Sequence, residues 1–423
     1  MTESEVARRV VENLRSGIPS RVVAQHYPMG REAILGRIEA DLAAIEAGES
    51  SAVHLRFLRA PYGEGKSHAL HAMWNVAARR QWLVSWAVIS RETPFDKLPT
   101  VYRKLVENTY LPDAAQPGFR RLLEHLKPGG RPAEDVLEFA RQHLHNKIAT
   151  ILENVFEGVT SEALDDLYRD LAGDFMSVPD VKAVHRRNFG RAVRMNTFRQ
   201  QADTFDYMRL VDFLSQTQGH RGWLILLDEM ELMAKLGSKA RARAYANLVR
   251  LRHGALPHTY VICAIADNFY NEVLLRESDR LPQWLRDRQE TELADTAQEA
   301  LKAISEDPLR LVPLASGDLL AVFDRLLEDH AQAYGWRPPV DGQGLLARIR
   351  AIDPRADKPL RTLLRTAIYW LDIAWQYGRE PTLQVNRPQE EGLAEAAATD
   401  EDGKDGWASD GDAEGAVRRK NLF

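Results

Sequence analysis

One cysteine in 423 residues leaves Cys263 with no partner in its own chain, which excludes an intramolecular disulfide and a structural zinc cluster built on thiolates. Cys263 lies inside the apolar run Tyr260 to Ala266, where a thiol behaves as a small buried hydrophobe. Long apolar runs are also missing. Nothing approaches the roughly eighteen uncharged apolar residues of a membrane span, and Met1 to Leu14 carries acids and arginines where a secretory leader would be apolar. The expectation is a cytoplasmic protein with no membrane partner. An overall basic excess is absent too: the net charge of −5 does not suit a chain that coats nucleic acid over its whole surface, although it leaves room for a local basic face. No internal repeat stands out. His143 and His145, two apart on an expected helix, point to different faces and lack further ligands, so they are not expected to hold a metal.

What is present is enough apolar material, 44% of the chain, for a large core divided among two or three domains. Residues 1–50 read as two amphipathic helices, with Val6, Val10, Val11 and Leu14 on one stripe and Ile34, Ile38, Leu42 and Ile45 on the other, stopped by Gly17 and Gly48. Between 51 and 312 the pattern switches to short apolar strands: one from His54, then Trp82 to Ile89, Trp223 to Leu227, Tyr260 to Ala266 and a weaker one at Leu309 to Val312. Helices between strands predict a mostly parallel sheet covered on both faces, hence an α/β fold. The stretch from about 105 to 207, with Pro128-Gly129-Gly130 as a turn, shows helical patterns and no convincing strand, and is expected to be a helical insertion. Residues 313–387 predict a small all-helical lid, with Asp318 capping a helix closed at Gly335 and Pro359 opening another. From 388 to 423 the chain turns to Glu, Asp, Gly and Ala, and too little of it is apolar to order itself; it is expected to be a disordered acidic tail.

The chemistry begins at Ala60-Pro61-Tyr62-Gly63-Glu64-Gly65-Lys66-Ser67, placed between an expected strand and an expected helix. Such a loop turns backbone N–H groups toward a phosphate and adds the positive end of the helix. Gly63, Glu64, Gly65, Lys66, Ser67 and His68 are the candidates, with Lys66 for the β- and γ-phosphates of ATP and Ser67 for Mg²⁺. The first glycine of the usual pattern is Ala60 here. Farther along, Trp223 to Leu227 leads into Asp228-Glu229, an apolar strand delivering two carboxylates at its end. This is the Walker B pattern, with Asp228 in the Mg²⁺ shell and Glu229 as general base, and Glu231 standing by as an alternative base.

Strand, phosphate loop, paired acids and a helical lid together predict a P-loop ATPase of the AAA+ type. In that class a polar sensor follows the fourth strand, which selects Asn268, and a lid arginine reaches the phosphates, which selects Arg361 with Arg355 and Arg365 as competitors. Arg286 or Arg288 is open as a finger toward a neighbouring subunit in a homo-oligomer. Two basic stretches, Lys182 to Arg199 and Lys239 to Arg252, are open either as solvated or partner-facing helices or as a DNA surface.

Taken together, Leu14-Arg15-Ser16-Gly17-Ile18-Pro19, Gly30-Arg31-Glu32, the phosphate loop, Asp228-Glu229-Met230-Glu231 and Arg361-Thr362-Leu363-Leu364-Arg365 resemble the P-loop ATP-binding proteins of BREX phage-defence systems, the BrxD type foremost. The resemblance spans about residues 5 to 380, and most of its elements are shared with AAA+ proteins related to origin-recognition ATPases. It implies a cytoplasmic ATPase working with a helicase, a methyltransferase and a phosphatase-like protein. It also implies that Gly30 and Arg31 line the adenine pocket. The function expected is ATP-driven assembly or remodelling of a defence complex on DNA; the alternative is an ATP-loaded adaptor with little turnover.

Overall fold

The computed structural model describes residues 2–61, 63–253, 256–352 and 359–378. The expected acidic tail, the end of the expected lid, Tyr62 and Arg355 lie outside the described residues.

Six strands form one sheet: β1 (Leu55–Ala60), β2 (Leu83–Val88), β3 (Thr109–Tyr110), β4 (Trp223–Asp228), β5 (Thr259–Ala266) and β6 (Leu309–Arg310), in the order β3-β2-β4-β5-β1-β6. Every pairing is parallel except that of β2 with β3. In β4 all six residues are buried, as a central parallel strand between two helical layers requires. Successive side chains divide between the faces: Trp223, Ile225, Leu227, Val261, Cys263 and Ile265 enter one core, while Leu224, Leu226, Tyr260, Ile262 and Ala264 enter the other. Burial holds the Cys263 thiol far above its ordinary pKa.

One core packs β-strands against the helices Glu32–Glu46 and Lys66–Arg79. The other is larger and continues into six helices between Phe119 and Thr217, which fill the expected insertion. Inside it, Lys147 and Asp170 form a fully buried pair 2.5 Å apart, with Tyr207 donating to the same carboxylate at 2.7 Å.

A third core is all-helical. It joins Glu3–Ser16 and Arg21–His26 to Ser316–Tyr334, Gly342–Ile352 and Leu360–Tyr377 through Val10, Val11, Phe323, Leu345 and Ile368. Arg15 fixes this assembly with two bonds to Asp372, at 2.9 and 2.7 Å, and Tyr27 donates to Asp329 at 2.7 Å.

Several local expectations need correction. The first fifty residues hold three helices, because Ser20 caps an extra short one by accepting from Val23 N–H. Thr109–Tyr110 is a strand within the stretch expected to have none; two residues are too few to show a period, and the pairing with Val84 and Ser85 creates it. Asp318 lies in the first turn of its helix, whose N-cap is Ala315; there it still faces the positive helix end. The last strand ends at Arg310, two residues short of the expected Val312. Gly17, Gly48 and Gly335 take up left-handed backbone at helix ends, as expected.

Candidate nucleotide-binding site

The parallel strands end at one edge. Ala60 of β1 pairs with Ala266 of β5, and Asp228 of β4 pairs with Val88 of β2, so the loops after β1, β4 and β5 meet above that edge, where open α/β sheets bind ligands.

After β1 the chain turns through Gly63 (φ +85°) and Gly65 (φ +90°), both left-handed. These values would strain any side chain, and at Gly63 a Cβ would also stand 2.7 Å from Pro359. Lys66 opens the helix Lys66–Arg79 directly after Gly65, so the first free N–H groups of that helix point at whatever the loop holds. Lys66 is only 8% exposed.

Ser67 Oγ donates to Asp228 Oδ2 at 2.7 Å, across 161 residues of sequence. Asp228 Oδ1 accepts from Glu229 N–H at 2.9 Å. Glu229 itself takes a left-handed conformation, φ 57° and ψ 35°. In an extended strand consecutive side chains would point to opposite faces; this turn, which costs a non-glycine residue on the order of 1 kcal/mol, lets Asp228 and Glu229 line the same cleft. Burial, then the charges of Asp228 and Glu231, raise the Glu229 pKa, with Lys66 pulling the other way. The Glu231 carboxylate is tied to the end of β5, accepting from Ala266 N–H at 3.1 Å.

Arg31 lies beneath the loop. Its guanidinium donates to the carbonyls of Glu64 (3.2 Å), Val312 (3.1 Å) and Gly30 (3.3 Å), bracing the phosphate loop against the segment after β6. Gly30 instead meets the segment before the helix Ser316–Tyr334: a Cβ there would stand 2.5 Å from Leu314. His68 Nε2 donates to Tyr27 O at 3.0 Å, and burial lowers its pKa and favours the neutral ring. That bond ties the loop helix to the N-terminal helices.

The cleft continues away from the loop between the N-terminal turn and the C-terminal helices, along Leu14, Ile18, Pro19, Met29, Leu314 and Leu364. Arg361 lines it from the helix Leu360–Tyr377; Arg361 and Arg365, one turn on, both pack beside Gly17, and Arg365 is not among the lining residues. Ile18 is 60% exposed at this wall. An exposed isoleucine in a tight turn was the available signal for an apolar ligand surface, and it is weak because single exposed hydrophobes are common.

Asn268 is not brought into the cleft lining. It is exposed, and its side-chain oxygen accepts from Phe269 N–H at 2.9 Å. Neighbouring Asp267 pairs with Arg59, which also covers the Tyr270 ring at 4.0 Å. Arg286 is held by Asp295 and Gln298, and Arg288 stacks on Trp284 at 4.0 Å; neither lines the cleft.

Two oxygens, from Ser67 and Asp228, thus meet at the end of a loop with two left-handed glycines, with a lysine and a second carboxylate alongside. Hard oxygen donors of this kind are of the type that suits Mg²⁺, and they lie at the edge of a mostly parallel α/β sheet. The family model for the BREX system ATP-binding protein BrxC/D matches residues 3–128 and 131–380, and the chain belongs to that family. No curated protein and no solved structure matches it. No helix among the described residues is long and apolar enough to cross a membrane.

Proposed function

We propose that this BREX ATP-binding protein hydrolyses ATP in the cleft above the sheet edge, and that the cycle drives assembly or remodelling of a defence complex on DNA. The supporting observation is the meeting of Lys66 and Ser67 with Asp228 and Glu229, carried there by two separate strands and fixed by the 2.7 Å Ser67–Asp228 bond. Lys66 and the loop amides neutralise the β- and γ-phosphates, and Ser67 and Asp228 would hold Mg²⁺, which supplies charge stabilisation for the phosphoryl oxygens when bound. Glu229 accepts a proton from the attacking water; its raised pKa makes it a better base than an exposed glutamate. Arg361 adds positive charge from the lid side as the γ-phosphate leaves. Because that arginine rides on a helix packed with Glu3–Ser16, loss of the γ-phosphate removes an attraction holding the helical unit against the sheet. A helicase, a methyltransferase and a phosphatase-like protein are the partners on which such a motion would act.

A second reading, an ATP-loaded adaptor with little turnover, is favoured by one observation: Asn268, expected to orient the lytic water, is not among the residues lining the cleft. Steady-state ATP turnover, measured alone and with duplex DNA or defence partners, separates the two. Turnover that rises on addition supports remodelling; tight binding with negligible turnover under every condition supports the adaptor.

A further inference from the structure

The two basic stretches have opposite fates in the fold. In the second, the cationic groups are consumed internally: Lys239 pairs with Glu290 at 2.7 Å, Arg241 with Glu277, Arg243 with Asp96 at 3.0 Å and Arg252 with Glu306 at 3.5 Å. Arg250 lies over the Phe205 ring at 4.5 Å. The first stretch contains no acid between Asp180 and Asp203. There Arg186, Arg187, Arg191, Arg194 and Arg199 are all exposed, and among the described residues none forms an ion pair.

The backbone that carries them is fixed. Arg186 and Arg187 sit in the last turn of the helix Val178–Phe189, which is bonded through His185 and Asn188 to Asn154 of the helix Asn146–Glu157. The chain then runs back along that helix to its start, where Asn146 donates to Arg194 O at 3.3 Å and accepts from Asn196 N–H at 3.1 Å. Met195 is buried as an anchor. From Asn154 to Asn146 is eight helical residues, so the backbone from Asn188 to Arg194 covers about 12 Å at 1.5 Å per residue. The neighbouring acids have partners other than the row's guanidinium groups: Glu153 is held by Arg141 at 2.6 Å, Asp180 by Ser177 and Asp206 by the His145 amide, while Asp203 caps the end of the row through the Arg199 amide.

We infer that this arginine row on the helical insertion is a docking surface for the phosphate backbone of duplex DNA, contacted without reading of base sequence. Five arginines in an acid-free run concentrate positive charge on a chain whose net charge is −5, and planar guanidinium forks match phosphate oxygens two at a time. Asn196 and Thr197, exposed between them, are the polar donors that backbone contacts also use. The row presents no large exposed apolar side chain, which leaves out the buried anchor of a protein partner and the apolar face of a membrane-binding helix. The inference rests on the proposed action on DNA and on nothing in the cleft.

The test is fluorescence anisotropy of a labelled mixed-sequence duplex of about 30 base pairs, long enough to engage several phosphates at once, titrated over a salt series with the full-length protein. The variants are R187E/R191E/R194E and its milder form R187Q/R191Q/R194Q. R9E/R91E/R337E, at exposed positions outside the row, changes the net charge by as much as R187E/R191E/R194E. The expected result is a wild-type log–log salt slope that flattens by about three in the row variants, at about 0.9 for each phosphate left without its arginine, with affinity at least about tenfold weaker, while the control triple keeps most of both. ATP binding by the row variants stays at wild-type level, so a failed ATPase reading is told apart from a failed DNA surface. Equal losses in row and control variants, a wild-type protein that ignores duplex, or capture of polyglutamate but not duplex would each overturn the inference.

Discussion

The two ends of the cleft are built differently. The phosphate end is assembled from strand termini: the loop after β1 and the acids at the end of β4, joined by the Ser67–Asp228 bond and rooted in a sheet whose central strand is wholly buried. The other end is assembled from helices distant in sequence, the turn at Leu14 to Pro19 against Leu314, Leu360 and Leu364, held by side-chain latches such as Arg15–Asp372 and Tyr27–Asp329. The first end is fixed by the sheet core, and the second belongs to a separate all-helical core joined to the loop helix by contacts such as His68–Tyr27. An ATP molecule spanning both would couple chemistry at one end to the position of the other.

The largest break in this comparison is Lys66→Ala, which removes the buried charge at the phosphate end. ATP affinity should fall by on the order of 100-fold, about 2.7 kcal/mol, by calorimetric titration, while the melting temperature changes little because the lysine serves ligand rather than core. Unchanged affinity would detach Lys66 from the phosphates. Next comes a contrast along one helix. Arg361→Ala should slow turnover by roughly 10- to 100-fold, in the range of a lost transition-state donor, while Arg365→Ala, outside the cleft lining, should stay near wild type; reversal of that order would exchange their roles. At the helical end, Ile18→Asp should weaken ATP binding by about tenfold, about the worth of burying one aliphatic side chain, with no loss of thermal stability since Ile18 is already exposed. Wild-type affinity would take the base away from this wall.

The smallest effect sharpens the electrostatics. Glu229 has its pKa raised by burial first, then by Asp228 and Glu231. Glu231→Gln removes one negative neighbour, so the Glu229 pKa drops, the deprotonated base persists to lower pH, and the acid limb of the kcat/KM profile moves down by less than about one unit. A glutamine oxygen can still accept from the Ala266 amide, so the loop end should hold. A limb that moves upward, or stays in place, would show that Glu231 does not act on the base.

These differences also explain what could be read from the sequence. The meeting of the loop after β1 with the acids of β4 was legible because each half is a short motif next to an apolar strand, and the strand period and glycine pattern are local signals. The union of Glu3–Ser16 with the C-terminal helices was not legible: Val10 and Val11 show an apolar stripe, but nothing local says that Phe323 and Ile368 cover it. The orientation of Asn268 depends on a hydrogen bond to the next residue's amide, and Arg31 braces the loop from beneath as well as lining the cleft. The two basic stretches looked alike as compositions. Their separation into neutralised and exposed rows depends on acids such as Asp96 and Glu290, far away in sequence.

Glu229→Gln tests the central claim most directly, because it keeps the size and hydrogen bonding of the side chain that shares the cleft with Asp228 and removes only the charge that accepts the proton. ATP turnover and ATP affinity should be measured on the same purified variant. The account predicts near-normal binding with turnover reduced by about 10²- to 10⁴-fold, and near-normal turnover would contradict it.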